Sequence, residues 1–241
     1  MFESRLPGHN GGFFLELNGR LKQIADLVPH CRTLADVGTD HGYIPIYCAS
    51  HGICDSALAM DINPMPLRSA QNNIIKYCLQ DKIGVRLSDG LQALSADEAD
   101  VIVIAGMGGL LMRDILSQGD AVIGNDTLLI LQPMLAVREL REYLYSNGFD
   151  ICDEYVCREQ DKFYNIITAR RGEGAHDDCD IIVGRNLRQN SPDTFAAYVD
   201  YRLRVLGKIA NGMKKSAQSS AHEIDAVENE LKIFEKARDM Q

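Results

Sequence analysis

No run of about 18 consecutive uncharged apolar residues occurs in this 241-residue chain, which excludes a membrane-spanning helix. Residues 1–12 are polar and glycine-rich and lack an apolar core. They do not read as a secretory signal, and residues 1–14 are expected to be a flexible arm or an appended remnant. The cysteines Cys31, Cys48, Cys54, Cys78, Cys152, Cys157 and Cys179 contain no C-x2-C pair, and their number is odd. That argues against a zinc site or a disulfide framework, so no metal is expected and a reducing cytoplasm fits best. The plain reading of these residues is as small buried hydrophobes. A surplus of positive charge is also missing, since 25 Lys+Arg face 34 Asp+Glu for a net charge of −9. The imbalance is uneven: residues 1–180 carry 15 basic and 26 acidic side chains, residues 181–241 carry 10 and 8. A nucleic-acid partner would therefore need a local basic patch or the C-terminal segment.

What is present is a 46% hydrophobic chain, enough for one α/β domain with a proper core and a small appendage. Leu15–Pro29 has helical apolar spacing. Short apolar runs then alternate with helical patterns. Strands are expected at Thr33–Val37, Ser56–Met60, Val85–Leu87, Val101–Ile104 and Leu128–Leu131, followed by Asp150–Val156 and Tyr164–Ala169. Helices are expected at Tyr43–Ser50, Pro64–Leu79, Leu110–Gln118 and Val137–Asn147. This alternation implies a seven-stranded, mostly parallel sheet with helices on both faces. The last two strands follow without a helix between them and predict a terminal antiparallel hairpin. Gly172–Asp180 reads as a linker. Ser191-Pro192-Asp193 is a helix start. Phe195, Val199, Leu206, Ile209 and Met213 follow at four/three spacing, interrupted by Arg202, and a second helix spans about Ala221–Met240. Together these predict a sheet domain over 15–172 and an antiparallel helical hairpin, a coiled coil, over 181–241. Its heptad-like stripes suit pairing within the chain or self-association between copies.

The most informative segment is Asp36-Val-Gly38-Thr39-Asp40-His41-Gly42. A buried strand runs into two glycines and then a helix, and ligands of open α/β sheets sit at such carboxyl ends. The dinucleotide fingerprint G-x-G-x-x-G is absent. Asp36 and Asp40 would repel a pyrophosphate and instead suit a cationic ligand, such as the ammonium and sulfonium of S-adenosylmethionine. The bland alternative is a glycine turn with a capping aspartate. Asp61 closes the second strand, where an acid can hold ribose hydroxyls or cap the next helix. Asp89-Gly90 closes the third, where it could accept an adenine amino group or cap a helix. Ala105-Gly106-Met107-Gly108-Gly109 closes the fourth and leaves backbone exposed, unless it is only a tight turn.

Four such loops in this order resemble class I methyltransferases, with a Rossmann-like fold. The wording of Arg20-Leu-x-x-Ile24-Ala25, Ala35-Asp-Val-Gly-Thr-Asp-His-Gly-Tyr-x-Pro45, Ile104-Ala-Gly-Met-Gly-Gly109 and Leu129-Ile-Leu-Gln132-Pro133 resembles the bacterial TrmK family. Members of that family methylate N1 of adenine 22 in tRNA. The resemblance covers roughly residues 15–171 in detail; the helical hairpin matches the family's coiled-coil appendage in kind. It implies S-adenosylmethionine as cofactor. Asp36, Gly38, Asp40 and His41 would line its methionine end, Asp61 would hold the ribose, and Asp89 with Gly90 the adenine; Arg20, Thr39 and Ile62 are further cofactor-binding candidates. Ala105, Gly106, Met107 and Gly108 would border the cofactor and target base. Asp40, His41, Ala105 and Gly106 are the catalytic candidates. Gly109, Gln132, Pro133, Arg138, Lys214 and Lys215 are the substrate-binding candidates.

Adenine N1 already has a lone pair, so no base is needed before attack, and orientation and desolvation should supply most of the rate. Acceptors aimed at the adenine amino group gain strength as positive charge spreads over the ring. The carbonyls of Ala105 or Gly106 suit this, with Asp40 as a second candidate and later proton acceptor. His41 either contacts the base or holds the turn, and Tyr43 either covers the cofactor or packs in the core. Arg113, Arg138, Arg141, Lys162, Arg170, Arg171, Lys214 and Lys215 could hold an RNA backbone or be solvated surface charges. The alternatives are a methyltransferase of a small molecule or protein, a nicotinamide-binding protein, and a non-catalytic binding module.

Overall fold

The computed structural model describes residues 3–4, 14–215 and 220–239. Most of the expected arm over 1–14 lies outside the described residues. Within it, β1 (Glu3–Ser4) pairs antiparallel with β2 (Phe14–Leu15). The first helix, α1 (Gly19–Asp26), is shorter than the apolar spacing of Leu15–Pro29 suggests. Leu15 is taken by the β2 pairing, and Gly19 has a positive φ of 56°. The Glu159 carboxylate then accepts from the Arg20 N–H at the helix start.

The main elements follow as β3 (Cys31–Val37), α2 (Tyr43–Ser50), β4 (Cys54–Asp61), α3 (Pro64–Lys76), β5 (Ile83–Leu87), β6 (Val101–Met107) and α4 (Gly109–Gln118). Then come β7 (Leu128–Pro133), α5 (Val137–Ser146), β8 (Phe149–Glu159) and β9 (Lys162–Arg171). The seven strands form one sheet in the order β5-β4-β3-β6-β7-β9-β8. All pairs are parallel except β7 with β9 and β9 with β8, the expected terminal hairpin. Strand residues alternate between two cores. Leu34, Val101, Val103, Leu128 and Ile130 pack on the α1–α3 side. Ala35, Ile102, Ile104, Leu129 and Leu131 pack against α4 and α5 on the other. Both faces are covered, so the strands read as continuous apolar runs although side chains alternate. β3 connects to β4 on one side and is followed across the sheet by β6 on the other. The crevice at that switch point is where ligands of such sheets sit.

The expected linker over Gly172–Asp180 is not a free connection. It enters α6 (Asp178–Ile182), which starts with a capping box between Asp177 and Asp180, and α7 (Leu187–Asn190) follows. These short helices dock on β8 through Arg141 and Glu154, which are 1% and 0% exposed at their side chains. Arg141 Nη2 donates to Glu154 Oε2 at 2.8 Å and to the Val183 carbonyl at 3.1 Å, and Nη1 donates to the Ile181 and Ile182 carbonyls. Arg141 is therefore an internal cross-link, and the expectation that it holds RNA is corrected. The cross-link was hidden because the partners of Arg141 lie on two other elements.

The C-terminal helices α8 (Pro192–Lys215) and α9 (Ala221–Asp239) pack on each other. Phe195, Val199, Leu206, Phe234 and Ala237 form their core. Arg202 does not break the stripe: its guanidinium lies over the Phe234 ring, 5.4 Å from the centroid, and 3.8 Å from the Glu230 carboxylate. Most of the connection expected over Lys214–Ser220, and Met240 at the expected end of the second helix, lie outside the described residues. At the start of α9, Ser220 and Glu223 exchange bonds in a capping box.

Candidate active site

A cavity of about 330 Å³ opens at the carboxyl ends of β3 and β6. Arg20, Asp36, Gly38, Thr39, Asp40, His41, Ala105 and Gly106 all line it, together with Leu21, Tyr43 and Ile44. Eight candidates chosen from the sequence are thus brought to one cavity, seven by the strand ends at the switch point and Arg20 by α1.

The β3 loop is built for close approach. Gly38 and Thr39 donate their N–H groups to the Met60 carbonyl at 2.8 and 2.9 Å, which ties the loop to β4. Gly38 has φ +75°, and a Cβ there would sit 2.1 Å from the Met107 methyl carbon. Glycine is therefore favoured by its left-handed backbone, while the Met107 methyl would have to swing aside for a side chain here. Asp36 is buried, and Thr39 Oγ1 donates to its Oδ2 at 2.6 Å. Burial pushes its carboxyl pKa up to about 7, with the nearby Asp61 charge adding and the Thr39 bond opposing. Asp40 is exposed and holds φ 50°. Its carboxylate lies 3.5 Å from His41 Nε2. The His41 ring is stacked with Tyr43 at 5.1 Å, and its Nδ1 lies 2.6 Å from Ser69 Oγ. Asn73 donates to the His41 carbonyl at 2.9 Å. Ser69 and Asn73 were missed in the sequence. Their four-residue spacing puts them on one face of α3, but nothing local says that this face meets the β3 loop.

The remaining acids lie outside the cavity on an open shelf. Asp61 is partly exposed at the end of β4, and its Oδ1 accepts from the Asn63 N–H at 2.8 Å, so one oxygen shapes the turn into α3. Asp89 is exposed. The turn beside it is held by Ser88, whose hydroxyl donates to the Gly90 carbonyl and accepts from the Ala93 N–H. That leaves the Asp89 carboxylate out of the capping role. Gly90 has φ +56°, and a Cβ there would meet Ile115 Cγ2 at 3.0 Å. Ile62 and Leu87 are 56% and 58% exposed, and they supply an apolar surface between the two acids.

The β6 loop is clamped to the end of β7. Gly109 donates to the Leu135 carbonyl at 2.8 Å and Met134 donates to the Met107 carbonyl at 2.7 Å. A Cβ on Gly109 would meet the Ala136 carbonyl oxygen at 2.2 Å. Met107 and Gly108 are half-buried, while Gly109, Gln132 and Pro133 are buried. The latter three shape the loop more than they offer a surface. Gln132 in particular accepts from Arg20 Nη1 and from the Gly106 N–H.

The basic candidates are not gathered at the cavity. Arg138 pairs with Glu142 and Glu230, which ties α5 to α9. Lys214 pairs with Glu228 in the last turn of α8, beside Lys215. Arg113 pairs with Asp114. Arg171 pairs with Asp120 and covers the Phe149 ring, and Arg170 donates to the Asp126 carbonyl. Lys162 is exposed at the start of β9. A groove of about 720 Å³ runs from Pro133–Arg138 to α8 and α9, with Phe163, Tyr201 and Arg202 among its walls. Among the described residues, no three His, Cys, Asp or Glu side chains converge to hold a metal ion, and no helix is long and apolar enough to cross a membrane.

Residues 17–167 match a family model described as a methyltransferase domain. The tRNA (adenine(22)-N(1))-methyltransferase of Bacillus subtilis strain 168 is 36% identical over 159 residues, which are 66% of this chain and 67% of that protein. The crystal structure of the B. subtilis M1A22 tRNA methyltransferase TrmK superposes with a TM-score of 0.84 at 28% identity, covering 93% of this chain and 99% of that one. Mycoplasma capricolum TrmK, solved with the cofactor product S-adenosylhomocysteine, superposes with a TM-score of 0.79 at 27% identity, covering 92% and 98%. Coverage of that extent takes in the C-terminal helices as well as the sheet. In sequence, sheet order and appended helices alike, the chain belongs to the TrmK family of class I, S-adenosylmethionine-dependent methyltransferases.

Proposed function

We propose that this protein methylates N1 of an adenine in tRNA, at the position corresponding to adenine 22. The observation that carries the reading is the pairing of an open cavity, walled by buried Asp36 and exposed Asp40, with the clamped Ala105–Gly109 loop, in a chain 36% identical to an enzyme named for that reaction.

The donor set fits S-adenosylmethionine. Acids close three successive parallel strands, which suits an ammonium and ribose hydroxyls and opposes a phosphate. Arg20, Asp36, Gly38, Thr39, Asp40 and His41 would hold the methionine end, Asp61 and Ile62 the ribose, Asp89 and Gly90 the adenine. Ala105, Gly106, Met107 and Gly108 would border the reacting centre. When bound, the cofactor supplies a methyl group activated on a sulfonium. The chain's own task is to place adenine N1 in line and keep water out. The Ala105 and Gly106 carbonyls serve as acceptors for the adenine amino group, and exposed Asp40 takes the proton later. In this reading the unit over 15–172 carries the chemistry, and the helices over 181–241 form an RNA-facing arm in a cytoplasmic enzyme. N1 lies on the pairing edge, so the base must leave its stack. Neighbouring RNA would lie in the 720 Å³ groove beside Pro133, which Arg138 and Arg202 line, with Lys214 and Lys215 farther along at the end of α8.

The deciding experiment is methyl transfer from labelled S-adenosylmethionine to unmodified bulk tRNA, followed by nucleoside analysis. N1-methyladenosine is the expected product. Cofactor binding without incorporation into tRNA would favour a small-molecule or protein acceptor. tRNA affinity should fall steeply between 50 and 200 mM salt, and a salt-independent affinity would count against an RNA substrate. Asp61→Ala is expected to weaken cofactor binding by about 10- to 100-fold, the loss of a charged acceptor, measured by titration calorimetry. Unchanged binding would leave Asp61 with only its turn-shaping role.

A further inference from the structure

The β6–β7 ladder contains an irregularity next to the reacting centre. Ala105 pairs with Gln132 and Met107 with Pro133, so Gly106 is an extra residue without a ladder partner. Bulges of this kind re-aim backbone beside active sites. The cost is an unpaired N–H, and a side chain from the neighbouring strand meets it. Gln132 Oε1 accepts from the Gly106 N–H at 3.1 Å. The same oxygen accepts from Arg20 Nη1, and Gln132 Nε2 donates to the Pro133 carbonyl at 2.9 Å. Gln132 is 0% exposed, so its polar atoms serve the protein and not a substrate.

A trans peptide is planar, so the Gly106 N–H and the Ala105 carbonyl point in opposite directions. No cis peptide occurs among the described residues. Holding the N–H on Gln132 therefore turns the Ala105 carbonyl to the opposite side. Gly106 has φ +76° and no Cβ to resist rotation, so without Gln132 the peptide could flip. A flipped peptide would present a donor where an amino group of growing positive charge needs an acceptor.

We propose that Gln132 is a positioning residue for the methyl transfer. It fixes the Ala105–Gly106 peptide with the Ala105 carbonyl as acceptor, and through Arg20 it joins that loop to the methionine end of the cofactor site. The identity of the amino group rests on the adenine reading given above; the peptide orientation does not.

Gln132→Met removes both hydrogen-bonding functions at similar volume. Gln132→Glu keeps oxygens for Arg20 and Gly106 and loses the Nε2 donations to the Pro133 carbonyl and the Met134 sulfur, while its charge faces the Arg20 guanidinium. In the full chain, Gln132→Met is expected to lower kcat by about 100-fold, the cost of a misplaced reacting group, with little change in the dissociation constants of tRNA and cofactor. Gln132→Glu should recover most of the rate. Amide hydrogen exchange across residues 101–109 should accelerate in Gln132→Met and not in Gln132→Glu. A folded Gln132→Met protein with wild-type kcat would overturn the proposal. So would equal losses in both variants with unchanged exchange, because a purely structural role lowers both melting temperatures without separating the two. If Gln132→Met does not fold, exchange of the Gly106 amide in the wild-type protein decides: slow exchange is expected from its bond to Gln132, and exchange as fast as in an open loop would overturn the proposal. Failure of the wild-type protein to methylate tRNA would count against the adenine reading, and the exchange measurement would still decide the role of Gln132.

Discussion

Glu154→Ala is expected to destabilise the chain by about 3–5 kcal/mol, because it leaves the Arg141 guanidinium buried without its counter-charge. The pair is fully enclosed, and Glu154 also accepts from the Arg185 N–H at 2.9 Å. Burial pushes the Glu154 carboxyl up, and only the facing guanidinium and these donors hold it down. The remaining Arg141 donors satisfy the last carbonyls of α6. Losing Glu154 should therefore loosen α6, α7 and the attachment of α8 to β8, rather than the parallel part of the sheet. Thermal melting should show a drop of about 10 °C for a chain of this size. Hydrogen exchange should rise first in residues 177–191. The double variant Arg141→Leu/Glu154→Leu should be less damaged than either single variant, since replacing both charges avoids an orphan. Additive losses would show that the pair does not act as a unit.

The second expected result is a pH dependence of cofactor binding centred near 7. Buried Asp36 keeps its proton up to about that pH, whereas an ordinary aspartate is ionised far lower. An ammonium placed beside it favours the ionised form, so binding S-adenosylmethionine at lower pH must expel the proton. Affinity should fall about tenfold per pH unit below 7 and level off above it. Asp36→Asn should bind weakly at all pH values and lose the slope. Stability of the cofactor-free protein should run the opposite way. A carboxyl whose folded pKa is raised binds more protons when folded than when unfolded between pH 3.8 and about 7. Its contribution is full below that window and is lost as pH rises through it, by roughly 4 kcal/mol at most. The difference in melting temperature between wild type and Asp36→Asn, followed from pH 5 to 8, isolates this effect from other titrating groups. A flat difference together with pH-independent binding would mean that Asp36 stays ionised.

The sequence by itself determined the strand and helix pattern and the four strand-end loops. Apolar runs such as Val101–Ile104 and the glycines and aspartates that end them are local signals, and the structure extends each strand by only a few residues. The helix start at Pro192 and the apolar stripe from Phe195 to Leu206 were legible for the same reason. Asp36–Gly42 could be seen as a ligand loop because its acids and glycines are contiguous. Only the tertiary structure decided which side chains serve that loop from elsewhere. Arg141 looks like any surface arginine on α5 until β8 and α6 close over it. Ser69 and Asn73 gain meaning only when α3 lies against His41. Gln132 passed for a substrate contact until the β6 bulge placed the Gly106 N–H beside it. Burial and partner geometry depend on residues tens of positions apart, and a lone polar residue carries no periodic signal to announce them. The raised pKa of Asp36 has the same origin: its carboxylate is written in the sequence, but the loss of its water is made by the packing of the sheet around it.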